Sequence, residues 1–167
     1  MSKGRESKPH IGIYGRRNNG KSSLINALAG QDIAIVSDQA GTTTDPVKKS
    51  FEITGFGPVI FVDTAGIDDF GDLGEKRVER TIRTLEIIDL ALLLVTASSW
   101  GKYEDELINR FNEHDVPYIV IHSKSDIEEA TSEFKKRILE LTGAAPVEFS
   151  SIDNRNYEEL ISIIRKT

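Results

Sequence analysis

Gly15, Gly20, Lys21 and Ser22, within "GRRNNGKSS", satisfy the spacing G-x-x-x-x-G-K-[ST] between a short apolar run and a helical pattern. Glycines in such a loop let backbone N–H groups wrap an anion, and a helix starting at once adds the positive end of its dipole. Lys21 is then placed to reach the β- and γ-phosphates of a nucleotide, and the Ser22 hydroxyl to meet Mg²⁺, with Ser23 beside it in the cradle. An ordinary Gly-rich turn leaves the Lys–Ser pair unexplained. A chance match in a chain of this length is on the order of one in a hundred or less.

Two later stretches narrow the chemistry. "VDTAG" closes an apolar strand with Asp63 and places Gly66 three residues on. There Asp63 meets Mg²⁺ through water while the Gly66 N–H meets the γ-phosphate. "HSKSD" follows another apolar strand, and Asp126 in it can accept hydrogen bonds from guanine N1–H and N2–H₂, a donor pair that adenine lacks. A site built on such bonds rejects the analogue without them, because its carboxylate is left unpaired. Lys124 lays its aliphatic stem along the base, and Ser123 precedes it. In "FSSID", Ser150 and Ser151 offer backbone N–H groups to guanine O6; an ordinary strand-end loop explains that stretch equally well. Each short motif is weak alone, and their order along the chain favours guanine.

These loops need strands beneath them. β-Branched runs at 10–14, 51–54, 59–62, 90–96, 118–122 and 147–149 alternate with helical periodicity at 21–29, 75–87, 104–113, 132–141 and 157–166. The alternation predicts an α/β fold: a P-loop NTPase, doubly wound, with a mostly parallel six-stranded sheet and helices on both faces. Two connections, 31–50 and 64–74, are long and rich in Gly, Thr and Asp, as functional loops are.

The 167 residues suit one domain, with 1–9 as a flexible N-terminal segment and 10–167 as the nucleotide-binding domain. At 38% apolar and 29% charged the chain reads as globular. No apolar run is long enough to cross a membrane and the first ten residues lack a signal core, so a cytoplasmic location is expected. There is no cysteine, hence no disulfide and no thiolate metal site. With 21 basic against 27 acidic residues, net charge −6, the broad basic footprint of a nucleic-acid binder is absent.

Over residues 10–167 the chain resembles the TrmE-Era-type, potassium-activated P-loop GTPases. More narrowly, "GRRNNGKSSLINAL", "SDQAGTTTDPVKK" and "GPVIFVDTAGIDDFGDLGEKRVERT" resemble the GTPase domain of HydF, the maturation factor of FeFe-hydrogenase. The tRNA-modifying and ribosome-assembly relatives typically read G-T-T-R-D, and here Thr44 replaces the arginine, which favours HydF. The resemblance implies GTP or GDP with Mg²⁺ and K⁺. It places K⁺ against Asn18, the Ser37 and Gln39 carbonyls and Thr42, and leaves Thr43 for Mg²⁺. Asn18 is also a favoured turn residue in its own right, and Asn19 has no role beyond tolerating the turn.

Ile67 stands where Ras-like GTPases carry a water-orienting glutamine, and the relatives' substitute glutamate falls on Glu75, a position that the helix dipole favours anyway. The catalytic set is then Lys21, Gly66 and Glu75. Asp68, Asp69 and Asp72 read as a solvated acidic stretch. Ser123 replaces the usual asparagine of the guanine motif, so nucleotide affinity is expected to be modest. HydF-like proteins carry dimerisation and iron–sulfur domains after the GTPase domain. The resemblance therefore implies a part of a longer protein, with those domains and other hydrogenase maturation factors as partners and a possible homodimer. The competing expectations are a GTPase of the TrmE, Era or Der kind acting in tRNA modification or ribosome assembly, and a nucleotide-gated binding module.

Overall fold

The run "LALLLV" has no polar position because it is a strand covered on both faces. A computed structural model describes residues 9–15, 21–29, 47–53, 56–63, 82–96, 100–124, 130–150 and 157–166. In chain order the elements are β1 (His10–Gly15), α1 (Lys21–Ala29), β2 (Val47–Ile53), β3 (Gly57–Asp63), α2 (residues 82–87) and β4 (Leu90–Val95). Then follow α3 (Lys102–Glu113), β5 (Tyr118–His122), α4 (Ser132–Thr142), β6 (Val147–Glu148) and α5 (Tyr157–Lys166). The six strands form one sheet in the order β2-β3-β1-β4-β5-β6, parallel throughout except for β2.

Alternation along β4 divides the core in two. Leu90, Leu92 and Leu94 pack with Leu24 and Leu28 of α1 and Leu160 and Ile164 of α5. Ala91, Leu93 and Val95 pack with Leu85 of α2, Leu107 and Phe111 of α3, and Phe134 and Ile138 of α4. Successive side chains of a strand point to opposite faces, so a strand between two helical layers must be apolar at every position.

The expected loop 31–50 ends early, because β2 begins at Val47 and pairs antiparallel with β3 from Val47↔Asp63 to Ile53↔Gly57. Lys48 and Lys49 hid this strand. An edge strand pairs on one side only, tolerates lysine, and is kept by it from pairing with another chain. The hairpin closes where the Phe56 N–H donates to the Ile53 carbonyl at 2.9 Å, and Gly57 follows at φ +130°, a conformation that glycine adopts without strain. Of the helix expected over 75–87, residues 82–87 are among those described and are helical.

Caps stop the helices where the sequence changes character. Glu104 turns back so that its carboxylate accepts the Gly101 N–H at 2.7 Å, and it is almost fully buried in doing so. Thr131 caps α4 by accepting the Phe134 N–H at 3.1 Å, and Gly143 ends it in the left-handed conformation, φ +83°. At the other end of the sheet, Asp89 joins β1 to the start of β4, accepting the His10 N–H at 2.9 Å and donating its own N–H to the His10 carbonyl at 2.7 Å.

An aromatic stack joins α3 to the sheet, with Phe111 edge-on to Tyr14 at 5.2 Å and tilted against Tyr118 at 5.4 Å. Burial pushes the Tyr14 phenol well above its usual pKa, reinforced by nearby Tyr103 and only partly offset by Thr84, which approaches without closing a well-formed hydrogen bond. Burial also raises Tyr118. Removing the ring between them opens a cavity in this buried layer. Phe111→Ala is expected to lower the unfolding free energy by about 3–5 kcal/mol, read as a lower urea midpoint at unchanged slope.

Candidate functional site

Strand order decides where a ligand can sit. The helix after β1 packs on one face of the sheet, through Leu24 and Leu28, whereas those after β3 and β4 pack on the other, through Leu85 and Leu107. Chain paths diverge at such a point, and ligands of open α/β sheets bind in the crevice outside the carboxyl ends of its strands. β1 ends at this point with Gly15, and α1 begins at Lys21 and Ser22. Ser23 is exposed on the first turn. Asp63 is the last residue of β3, which pairs parallel to β1 with Gly12↔Val62 in register. Ser22 and Asp63 thus come from neighbouring elements at one end of the sheet. A hydroxyl and a carboxylate are the hard oxygen donors that Mg²⁺ takes alongside phosphate and water. Among the described residues no group of three or more His, Asp or Glu side chains is arranged to hold a metal ion.

Ser123 and Lys124 come to the same end by way of β5. Ser123 is buried, donates its N–H to the Val95 carbonyl at 2.8 Å, and holds its hydroxyl a looser 3.4 Å from the same oxygen. Lys124 is exposed and left-handed, φ +58°, turning the chain off the strand direction. Ser150 is wholly buried just beyond β6, and the neighbouring Phe149 N–H donates to the His122 carbonyl at 2.9 Å. Asn18, Asn19, Gly20, Ser37, Gln39, Thr42, Thr43, Thr44, Gly66, Glu75, Asp126 and Ser151 lie outside the described residues.

Contacts that sequence reasoning missed support this end of the sheet. The Tyr103 hydroxyl of α3 donates to the Gly15 carbonyl at 3.3 Å, tying that helix to the last residue before the phosphate loop. Trp100 lies edge-on to Phe134 at 6.4 Å and donates its indole N–H to Asp105 at 2.8 Å, so it covers the sheet between α3 and α4. His122 and His10 are both buried, at opposite ends of different strands. A cleft of about 690 Å³ opens at the other end of β5, between Pro117, Tyr118, Thr142 and Ala144, away from the phosphate end.

A family model described as 50S ribosome-binding GTPase matches residues 10–124. The chain belongs to this GTPase family. It binds guanine nucleotide and hydrolyses GTP. It is 37% identical over 157 residues to the tRNA modification GTPase MnmE of Nitrosomonas europaea, covering 93% of this chain and 34% of that protein. It is 38% identical over 169 residues to GTPase Der of Wolinella succinogenes, covering 96% of this chain and 36% of that one. The chain thus spans about a third of the length of these curated relatives. Among solved structures, Aquifex aeolicus Era bound to GDP and AlF₄⁻ superposes with a TM-score of 0.71 at 28% identity, covering 94% of this chain and 56% of that one. No described helix of this GTPase is long and apolar enough to cross a membrane.

The left-handed backbone at Lys124 costs a side-chain-bearing residue about 1 kcal/mol or more. Lys124→Gly is therefore expected to raise the unfolding free energy of the nucleotide-free protein by about 0.5 kcal/mol, after the extra entropy of the unfolded glycine is subtracted. Urea unfolding in the absence of nucleotide measures it, and a lower midpoint would count against strain at this position.

Proposed function

We propose that this GTPase is a Mg²⁺-dependent, K⁺-stimulated molecular switch, slow on its own, whose turnover changes its affinity for a partner. The observation that carries the reading is the convergence of the start of α1, the end of β3 and the end of β5 at one end of the sheet, beside the divergence at β1. Lys21 holds the β- and γ-phosphates, with the residue 15–20 loop wrapping them through backbone N–H groups. Ser22, Thr43 and, through water, Asp63 hold Mg²⁺. Lys124 and Asp126 read guanine, with Ser123, Ser150 and Ser151 framing the base. Asn18, with Ser37, Gln39 and Thr42, holds K⁺. Together the two cations supply positive charge where it accumulates on the phosphate oxygens as the γ-phosphoryl bond loosens. Glu75 orients the attacking water, the role that Ile67 cannot perform, and the Gly66 N–H meets the γ-phosphate. The cell compartment that fits this reading is the cytoplasm.

For the biological output two readings have support. The relative MnmE, a tRNA modification GTPase, and the family's description as ribosome-binding favour a role in tRNA modification or ribosome assembly. Thr44 in "GTTTD" and the net charge of −6 favour the HydF reading, a switch in FeFe-hydrogenase maturation acting with dimerisation and iron–sulfur domains. Binding of tRNA or ribosomal RNA whose affinity falls steeply with salt supports the first, since each phosphate contact releases counterions. Salt-insensitive absence of RNA binding, with affinity for an iron–sulfur-domain partner that differs between GDP and a non-hydrolysable GTP analogue, supports the second.

The cation assignment is tested by steady-state phosphate release from GTP with Mg²⁺, in KCl and in NaCl at matched ionic strength. Release is expected to be about tenfold or more faster in KCl, and Asn18→Ala to abolish the difference while leaving the NaCl rate in place. Equal rates in both salts for the unmodified chain would remove K⁺ from the mechanism and reduce Asn18 to a turn residue.

A further inference from the structure

The Glu148 carboxylate touches the chain on both sides of the proposed base reader. Its Oε1 accepts the Ala130 backbone N–H at 2.8 Å, and its Oε2 lies 3.2 Å from His122 Nδ1. The ring N–H is not aimed along that second line, so the contact with His122 is close and electrostatic rather than a well-directed hydrogen bond. His122 immediately precedes Ser123 and Lys124, Ala130 leads into α4, and Asp126 falls between them in sequence. One side chain on β6 therefore joins the end of β5 to the entrance of α4.

The surroundings make this an anchor rather than a surface pair. His122 is fully buried and the Glu148 side chain is 15% exposed, so both groups are largely withdrawn from water and depend on protein partners. His122 is also fixed through its carbonyl, by the Phe149 N–H, and through its ring, edge-on to Phe134 at 5.8 Å. Phe134 belongs to the first turn of α4, which Thr131 caps. Glu148 thus spans two backbone points that are each tied to the core. A bidentate contact from Asp126 to guanine tolerates little displacement, and displacements on the order of 1 Å between interacting groups can cost large factors in function.

We propose that Glu148 is a positioning residue for guanine recognition: by holding His122 and Ala130 together, it sets the span of the segment that carries Lys124 and Asp126. This inference rests on the reading of Asp126 as the guanine reader. The plainer alternative is that Glu148 serves only to satisfy the buried His122 and Ala130 groups and contributes stability alone.

Comparison of GDP with IDP separates the two. IDP lacks the 2-amino group, so it loses one of the two hydrogen bonds to Asp126 and keeps every phosphate contact. Affinities for both are measured by calorimetry with Mg²⁺ for the unmodified chain and for Glu148→Ala. The variant is expected to lose GDP affinity more than IDP affinity, narrowing the GDP/IDP ratio by about threefold or more, as a weakened charged hydrogen bond would. A purely structural loss lowers both affinities by the same factor and leaves the ratio where it was, which would overturn the proposal. If Glu148→Ala does not fold, Glu148→Asp, one methylene too short to reach both partners, is measured in its place. There too a narrowed ratio supports the anchor and an unchanged one overturns it. An unmodified chain that binds GDP and IDP equally would sink the Asp126 assignment, and the inference with it, a result distinct from a normal preference that Glu148 does not affect.

Discussion

The rest of the sheet in this GTPase depends on the burial of β1 from every side. Its residues pair with β3 on one edge, Ile11↔Phe61, and with β4 on the other, Ile11↔Leu90. Ile11 and Ile13 join the core shared with α1 and α5, and Tyr14 joins the one beneath α3. A shift of one residue would exchange both sets of side chains and break both ladders, so the register is locked. Gly15 is therefore delivered to a fixed place. The Tyr103 hydroxyl on the Gly15 carbonyl extends the restraint to α3.

The end of the sheet at β5 and β6 is built differently. β6 has only two residues and borders β5 alone, so the ladder there is short. Polar contacts take over: the Ser123 N–H on Val95, the Phe149 N–H on His122, and the Glu148 carboxylate between Ala130 and His122. Buried contacts of this kind are stronger for lying in a low dielectric and costlier when one member is removed. Hydrophobic layering positions the end of β1 and a polar network positions the end of β5.

Family membership fits this division. The match over residues 10–124 includes the G-x-x-x-x-G-K-[ST] stretch, Asp63 and Lys124, the residues to which the proposed function gives phosphate, Mg²⁺ and the base. What turnover is used for depends on surfaces outside them, and the relatives MnmE and Der are about three times as long as the part that this chain matches. The Lys124 backbone sits in a conformation that glycine would adopt more cheaply.

Some of this was written in the local sequence. Gly15 to Ser22 announces a phosphate loop because glycines, a lysine and a hydroxyl at that spacing have few other uses, and the doubly covered strands are legible because two-sided burial forbids polar positions, as in "LALLLV". Asp63 and Lys124 are legible for the same reason, standing where apolar runs stop. Other features came into being only when distant segments met. β2 is a strand because β3 pairs with it, although its lysines argue for a loop. The left-handed turn at Lys124 carries no glycine or asparagine to signal it. Glu148 reads as an ordinary charge on a short strand, and only the sheet sets its carboxylate against a buried histidine from the neighbouring one. Periodicity and backbone preference act over a few residues, so sequence alone reveals them; pairing partners, buried polar contacts and the choice of sheet edge are properties of contacts between segments, and tertiary structure alone decides those.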